Sequence, residues 1–438
     1  MSKQITIFPL FLLIIATTFR YGFFSLPGVA IVICSFLVLM HLFFRKGQSP
    51  DESPQNTEII ANLYVIIYVL FLFFTNGIYE EHQRISLALV LISICIFPLV
   101  ITYLVHTKVI SSITKYRYAV LLFFALLLRI LILFASPSPR IDTFFILKEA
   151  PLALLSGFSP YAISYSKVYQ NVEPNYYSYW PASFLLEVPF VTLFSDPRIL
   201  FVFADIGAAL LLYLLGKKTR IAELLSLIYL FRPNSLFIIE QSWLTPLAFF
   251  FIVLSFYLVS RFKVNAAAIV WGLLVGLKPD YVLAIPFFWF LTRFDKKALL
   301  IFLITLAIIV LPFFILHPDK FITQTLLLYL LPFDKIPIPI HLSLNLNTLY
   351  YQFFANDLPI FVPGILFATL FFTVFYRLYK RYQVSKETQA LENNIILGMT
   401  ITFFGVYLIF RQAFINYYYF ITGLYIMWLV IVIKSRVL

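Results

Sequence analysis

Apolar stretches recur along almost the whole chain, broken by short polar knots. A helix needs roughly 17 to 25 mostly apolar residues to cross a bilayer. Stretches of or near that length run over 5–19, 23–44, 59–76, 85–106, 118–136, 199–216, 221–239, 243–260, 298–316, 358–376, 393–411 and 415–433, and each predicts a membrane-spanning helix. The knots between them carry Arg45/Lys46, Lys108/Lys115/Arg117, Lys217/Lys218/Arg220, Arg261/Lys263, Arg293/Lys296/Lys297, Arg377/Lys380/Arg381/Lys386 and Lys434/Arg436.

If every basic knot faces the cytoplasm, as the positive-inside rule demands, residues 265–291 must leave and return within the length of one span. Two short helices meeting at "KPDY" (278–281) satisfy that. The same constraint forbids "PASFLLEVPFVTLFS" (181–195) from crossing, because a crossing there would carry "LLGKKTR" outside. That segment predicts a helix lying along the membrane surface. The expectation is an all-α, polytopic membrane helix bundle of about fourteen spans with both termini cytoplasmic. Two large extracytoplasmic loops, 137–198 and 317–357, carry the surface helices. Loops of that length are usually functional, and their many prolines fix turns. "KIPIPIHL" (335–342) predicts extended chain at the lipid–water boundary, and Gly47–Thr57 a plain linker.

Composition narrows the class. With 62% hydrophobic and 12% charged residues and a mean hydropathy of +0.95, the chain does not suit a soluble globule, where about a quarter of residues are charged. The net charge of +12 comes from small clusters between apolar runs, so it reports orientation rather than a nucleic-acid-binding face. Cys34 and Cys95 both lie inside apolar runs, which leaves no disulfide framework and no zinc or redox pair. The first apolar run lacks a small-residue cleavage site and is followed at once by a second, which predicts an uncleaved anchor.

An ordered set of short motifs adds function. "LLLRILILF", then "RIDTFFILKEAPLALLSGFSPY", "YWPASFLLEVPFVTLFSDPRILFVFADIGAALLLYLLGKK", "RPNSLFIIEQSWLTPLAFFFIVLSFYL" and "GLLVGLKPDYVLAIPFF" follow one another through the chain. Taken together they resemble the GT-C glycosyltransferases, over roughly residues 118 to 433. The resemblance implies a sugar donor carried on a polyprenyl phosphate, plausibly mannose, and an extracytoplasmic acceptor that is a glycolipid, polysaccharide or protein. It implies a site on the outer face of a cell or endoplasmic-reticulum membrane. Residues 1–117 fall outside the pattern and are expected as an N-terminal four-helix addition to a core at 118–438.

In the resemblance Asp142 takes the place of the catalytic aspartate. The chemistry asks for the same group, since an attacking hydroxyl needs a general base and a departing phosphate needs a cation. The plain alternative is that Asp142 caps the helix that follows. Arg140-Ile141-Asp142 lacks the paired aspartates that some of these enzymes carry, and a lone carboxylate is a poor site for a divalent metal. Glu149, close to two turns further on, is the candidate for a second acid or metal ligand. Candidate phosphate-binding cations are Lys278, Arg411, Arg198 and His317, with Arg232 and His341 behind them. Arg129 is expected to pair with a loop carboxylate or carbonyl, and Asp205 to bond a neighbouring helix.

Tyr161, Tyr165, Tyr169, Tyr176, Tyr177, Tyr179 and Trp180 crowd the first outer loop. Aromatics of this kind collect at membrane interfaces, so most are expected as belt residues. Tyr161, Tyr179 and Trp180 are the candidates for sugar contact, and Glu240 and Gln241 for the acceptor. A transporter or a lipid-linked glycan flippase is the alternative. A transporter should show interrupted helices in both halves, and only "KPDY" reads as a break.

Overall fold

The computed structural model describes residues 8–45, 77–79, 117–168, 174–330, 340–384 and 388–434, with Leu63 and Ile67 isolated between them. The expected spans at 59–76 and 85–106 and the linker at 47–57 lie outside the described residues, apart from those two isolated positions. The described chain is helical, without a named strand; Phe23 and Ser343 form an isolated antiparallel bridge.

In chain order the helices are α1 (Phe8–Thr18), α2 (Leu26–Phe44), α3 (Arg117–Ala135), α4 (Asp142–Leu155), α5 (Ala182–Phe194), α6 (Arg198–Leu215), α7 (Arg220–Leu230), α8 (Ser235–Glu240) and α9 (Thr245–Ser260). There follow α10 (Val264–Val275), α11 (Ile285–Leu291), α12 (Lys296–Leu316), α13 (Pro318–Thr325), α14 (Leu346–Phe354), α15 (Phe361–Val384), α16 (Thr388–Ile409) and α17 (Ile415–Lys434). Seven of the described helices are long and apolar enough to cross a membrane: α2, α3, α6, α12, α15, α16 and α17. Polar side chains set several starts. Ser25, Thr219 and Asn345 accept from backbone amides of the first turns of α2, α7 and α14. Past α4, Gly157 takes φ +83°, and the amides of Gly157 and Phe158 turn back to Leu154 and Ala153. A side chain there would strain the left-handed backbone.

The chain divides into two compact units. One comprises residues 55–279 and 300–326 and contains α3 to α10, most of α12, and α13. Here α6 packs against α9, α7 and α3, and α4 against α5. A buried ion pair ties three helices: Arg129 of α3 donates to the Asp205 carboxylate of α6 at 2.6–2.7 Å and to the Leu230 carbonyl of α7 at 2.7 Å. Tyr229 completes it with a short hydrogen bond to the other Asp205 oxygen. Arg129 therefore pairs with a carboxylate inside the bundle rather than with the outer loop, and Asp205 is its counter-charge.

The other unit comprises residues 1–54, 280–299 and 327–438. Its core is α16 and α17, most of whose residues are buried, with α1 against α17 and α2 against α16. Gly405 lets α15 approach α16, since a Cβ there would stand 2.1 Å from Leu370 Cδ2. The expected boundary at residue 117 is thus not where the units divide, because the first two helices pack with the last two.

Two breaks interrupt the apolar pattern. The expected pair of short helices around "KPDY" is present as α10 and α11, joined through a 3-10 turn at Pro279–Ala284. The expected single span 221–239 is instead two helices, α7 and α8. Pro233 cannot donate an amide hydrogen, and Asn234 sits at φ 64°, a conformation a straight helix cannot contain. The segment 181–195 forms α5, whose 13 residues rise about 20 Å, short of a bilayer core. Ile340–Leu342 forms a 3-10 turn in place of the extended chain expected there, and residues 335–339 lie outside the described residues.

The topology is open to direct test. Ser166, Asp319 and Lys218 are exposed, and single cysteines at these positions, in a background lacking Cys34 and Cys95, report sidedness. Cysteines at 166 and 319 are expected to react with a membrane-impermeant thiol reagent added from outside, and one at 218 only after permeabilisation. Outside labelling at 218 would overturn the map.

Candidate functional site

The site is built around Asp142. Residues 136–141 leave α3 as irregular chain, and α4 starts at Asp142 in the favourable field of the helix N-terminus. Its Oδ1 accepts from the Thr143 amide at 2.8 Å and its Oδ2 from the Tyr176 hydroxyl at 2.5 Å. Burial is the dominant influence and raises its pKa above the ordinary aspartate value; the two hydrogen bonds oppose that rise without cancelling it. Asp142 is therefore a more basic carboxylate than a solvated one. The helix-capping alternative is met only in part, since the carboxylate bonds the adjacent amide while Ile141 occupies the N-cap without a side-chain bond.

The next turn of α4 anchors the site. Thr143 donates to the Gln241 carbonyl at 2.6 Å. The Arg198 guanidinium lies 5.0 Å over the Phe144 ring. Arg198 is fully buried, forks onto Asp196 at 2.6–3.2 Å and donates to the Ser136 carbonyl at 2.7 Å. It locks the start of α6 to the end of α3 beside Asp142, with its donors engaged by the protein rather than presented to a phosphate.

Residues 174–181 form a strap between two parts of the site. Tyr176 holds Asp142, the Tyr177 amide donates to Gln324 Oε1 at 2.8 Å, and the Trp180 and Ala182 amides donate to the Leu277 and Gly276 carbonyls at 2.9 Å. The strap thus runs from Asp142 to the turn that carries Lys278. Tyr176 and Trp180 are four Cα steps apart, a reach of at most about 14 Å. Lys278 and Trp180 are both half-buried there.

The tyrosines behind the strap are core rather than membrane belt. Tyr161, Tyr165, Tyr176, Tyr177 and Tyr179 are all buried, whereas Tyr169 lies outside the described residues. Tyr161 donates to the Tyr179 carbonyl at 2.8 Å and meets the Tyr177 and Phe321 rings at centroid distances of 5.5 and 5.0 Å. Desolvation pushes Tyr161 and Tyr177 well above the usual phenol range. Tyr161 is thus a packing residue, as is Tyr179, whose ring meets Tyr177. Trp180 remains the aromatic candidate with exposed surface.

Glu149 accepts the Ser166 amide at 3.0 Å and so pins the loop beyond α4. Glu240 is buried and accepts the Ile78 and Tyr79 amides at 2.8 and 2.9 Å and Gln241 Nε2 at 3.0 Å. Gly77 is required there, since a Cβ would come within 2.1 Å of the Glu240 carboxylate. Glu149, the candidate second acid, and Glu240 and Gln241, the candidate acceptor contacts, are thus occupied in holding chain segments together, and the geometry gives those roles no support. Arg232 is buried, 4.4 Å over the Tyr229 ring, and belongs to the Arg129–Asp205 neighbourhood. His317 is exposed at the start of α13. In the other unit, Arg411 pairs with Asp357 at 3.1 Å, both partly exposed, and His341 lies 6.2 Å from the Tyr351 ring. Among the described residues no three His, Cys, Asp or Glu side chains converge as a metal site.

Two residues were not singled out from the sequence. Gln324 bridges the Tyr177 amide and the Tyr161 carbonyl, an assignment that a lone glutamine in a loop helix does not announce. Glu187 of α5 is fully buried, with neither carboxylate oxygen bonded among the described residues. Burial, with the Asp196 charge adding to it, pushes its pKa well above the ordinary glutamate value and so favours its neutral form. Its signal was legible, as an acid within "SFLLEVPFV".

No family model matches the chain, and no curated protein is similar enough to it to count as a relative.

The Tyr176 bond favours ionised Asp142. Tyr176→Phe is therefore expected to move the titration of Asp142 to higher pH, read from its infrared carboxyl stretch with Asp142→Asn as the blank. An unchanged or lowered midpoint would contradict the assignment.

Proposed function

We propose that this chain is an integral-membrane inverting glycosyltransferase that moves a sugar, mannose by the motif resemblance, from a polyprenyl-phosphate carrier to an extracytoplasmic acceptor. The motif resemblance suggests the class. The observation that carries the reading is the state of Asp142: a desolvated carboxylate at a helix N-terminus, with one oxygen already receiving a hydrogen bond from a hydroxyl. An acceptor hydroxyl needs the same partner in order to lose its proton.

In the proposed step the acceptor oxygen attacks the anomeric carbon from the face opposite the carrier. Its bond to that carbon forms as the bond from the carbon to the phosphate oxygen breaks. The acceptor proton passes to Asp142, the bonding electrons leave with the carrier phosphate, and the anomeric configuration inverts. Charge grows on the phosphate in the transition state, so a cation positioned for it accelerates the step more than it tightens donor binding.

Lys278 is the favoured cation. The choice rests on position, because its turn is tied to the strap that holds Asp142. Arg411 is engaged with Asp357, and His317 stands second to Lys278. Trp180, whose amide bonds the Leu277 carbonyl next to Lys278, is the aromatic candidate for sugar contact.

Asp142→Asn keeps the shape of the side chain and removes the base. It is expected to abolish turnover while binding of the polyprenyl-phosphate sugar persists. The wild-type kcat/KM should fall on the acid side at a pH above the ordinary aspartate value of 3.8, because protonation removes the base as pH drops through a raised pKa. Turnover of the variant within a few-fold of wild type would reduce Asp142 to a helix-start residue and remove the enzyme reading.

Lys278→Met is expected to lower kcat by at least about tenfold, or roughly 1.4 kcal/mol of transition-state stabilisation, with donor affinity changed less. Arg411→Met should have a smaller effect. Normal turnover with Lys278→Met would move the phosphate to His317.

A further inference from the structure

Basic residues where α2 and α15 end read first as an orientation signal, but their geometry goes further. Arg377 and Arg381 stand about one turn apart on α15 and both donate from Nη2 to the Arg45 carbonyl, at 3.2 and 3.4 Å. Arg381 Nη2 also reaches the Phe43 carbonyl at 3.2 Å. Both guanidiniums lie over aromatic rings at the end of α2: Arg377 at 4.9 Å from the Phe44 centroid, Arg381 at 5.7 Å from that of Phe43. The side chains are thus fixed in place by the α2 C-terminus, whose dipole favours cations.

These bonds engage one nitrogen of each planar fork. Arg377 Nε is buried with no hydrogen-bond partner, and no carboxylate pairs with Arg377 or Arg381, among the described residues. Two like charges are therefore held against one carbonyl oxygen with donors to spare, an arrangement that an oxyanion completes. Lys380 adds a third charge, its ammonium 4.5 Å over the Tyr376 ring. Tyr376 and Tyr379 are exposed here, and tyrosines of this kind mark the headgroup level of a membrane. The turns of α15 before them expose Ile365 and Phe372.

We propose that Arg377, Arg381 and Lys380 form a binding site for the phosphate headgroup of an anionic phospholipid. Net negative lipid is selected because a zwitterionic headgroup brings its own cation to a site that already holds three. The site lies within one unit of the chain and does not depend on the proposed transferase activity.

The test uses the full chain in detergent micelles carrying phosphatidylglycerol or phosphatidylcholine, with bound lipid counted by native mass spectrometry. Wild type is expected to retain phosphatidylglycerol at least about tenfold better. The double variant R377Q/R381Q should reduce that preference to about twofold or less, whereas K217Q/K218Q, which neutralises an exposed basic pair elsewhere, should leave it unchanged. The single variants, each keeping one guanidinium on the Arg45 carbonyl, serve if the double variant does not fold, and each should lower the preference several-fold. Millimolar inorganic phosphate should not displace the lipid. Equal retention of both lipids, a preference that survives the glutamine variants or falls equally in K217Q/K218Q, or displacement by free phosphate would each overturn the proposal.

Discussion

The structure depends on one constraint: in a chain this apolar, a buried charge must meet an opposite charge or give up its own. An unpaired ion in a low-dielectric interior costs several kcal/mol, so the bundle is organised around the places where this debt is settled. Arg129 and Asp205 neutralise each other and tie α3, α6 and α7 through the Leu230 carbonyl and the Tyr229 hydroxyl. Arg198 and Asp196 do the same where the start of α6 meets the end of α3. Glu187, with no hydrogen-bond partner among the described residues, is pushed toward its neutral form by burial.

Asp142 stands between these cases. It is desolvated enough for its pKa to rise, yet it keeps two hydrogen bonds that favour its charge. That balance suits a proton acceptor, since a fully paired carboxylate is too weak a base and an isolated one is already protonated. The neighbouring Arg198 clamp and the Thr143–Gln241 bond fix the backbone on either side of it. The strap 174–181 then brings a second chemical element, the Lys278 turn, into the same unit.

Much of this was legible in the sequence because apolar length and punctuation are strong signals in membrane-like chains. Helices over 26–44, 117–135, 198–215, 296–316, 388–409 and 415–434 fall within a few residues of the expected stretches, and "KPDY" was read as a join between short helices. The misses have physical causes. Pro233 and Asn234 break the apolar run over 221–239, but hydropathy averaged over a span hides a three-residue turn. The break also weakens the sequence-based objection to a transporter, which rested on a single interrupted helix. The loop tyrosines were expected at the lipid boundary and instead form a core, since a loop of this size buries its own aromatics when residues such as Gln324 pin it from a distant helix. Partner choice for Glu240 was invisible for the same reason, as its contact to Ile78 spans over a hundred residues; for Arg198 only the Ser136 carbonyl is distant, since its ion-pair partner Asp196 stands two residues away.

The central claim is that the chain transfers a sugar off its lipid carrier rather than moving the carrier across the membrane. Proteoliposomes containing the wild-type protein, a polyprenyl phosphate carrying radiolabelled mannose and a candidate acceptor extract separate the two most directly. Label should leave the carrier for the acceptor with inverted anomeric configuration, and free polyprenyl phosphate should accumulate in equal amount. Label that stays on the carrier while changing leaflet would contradict the claim.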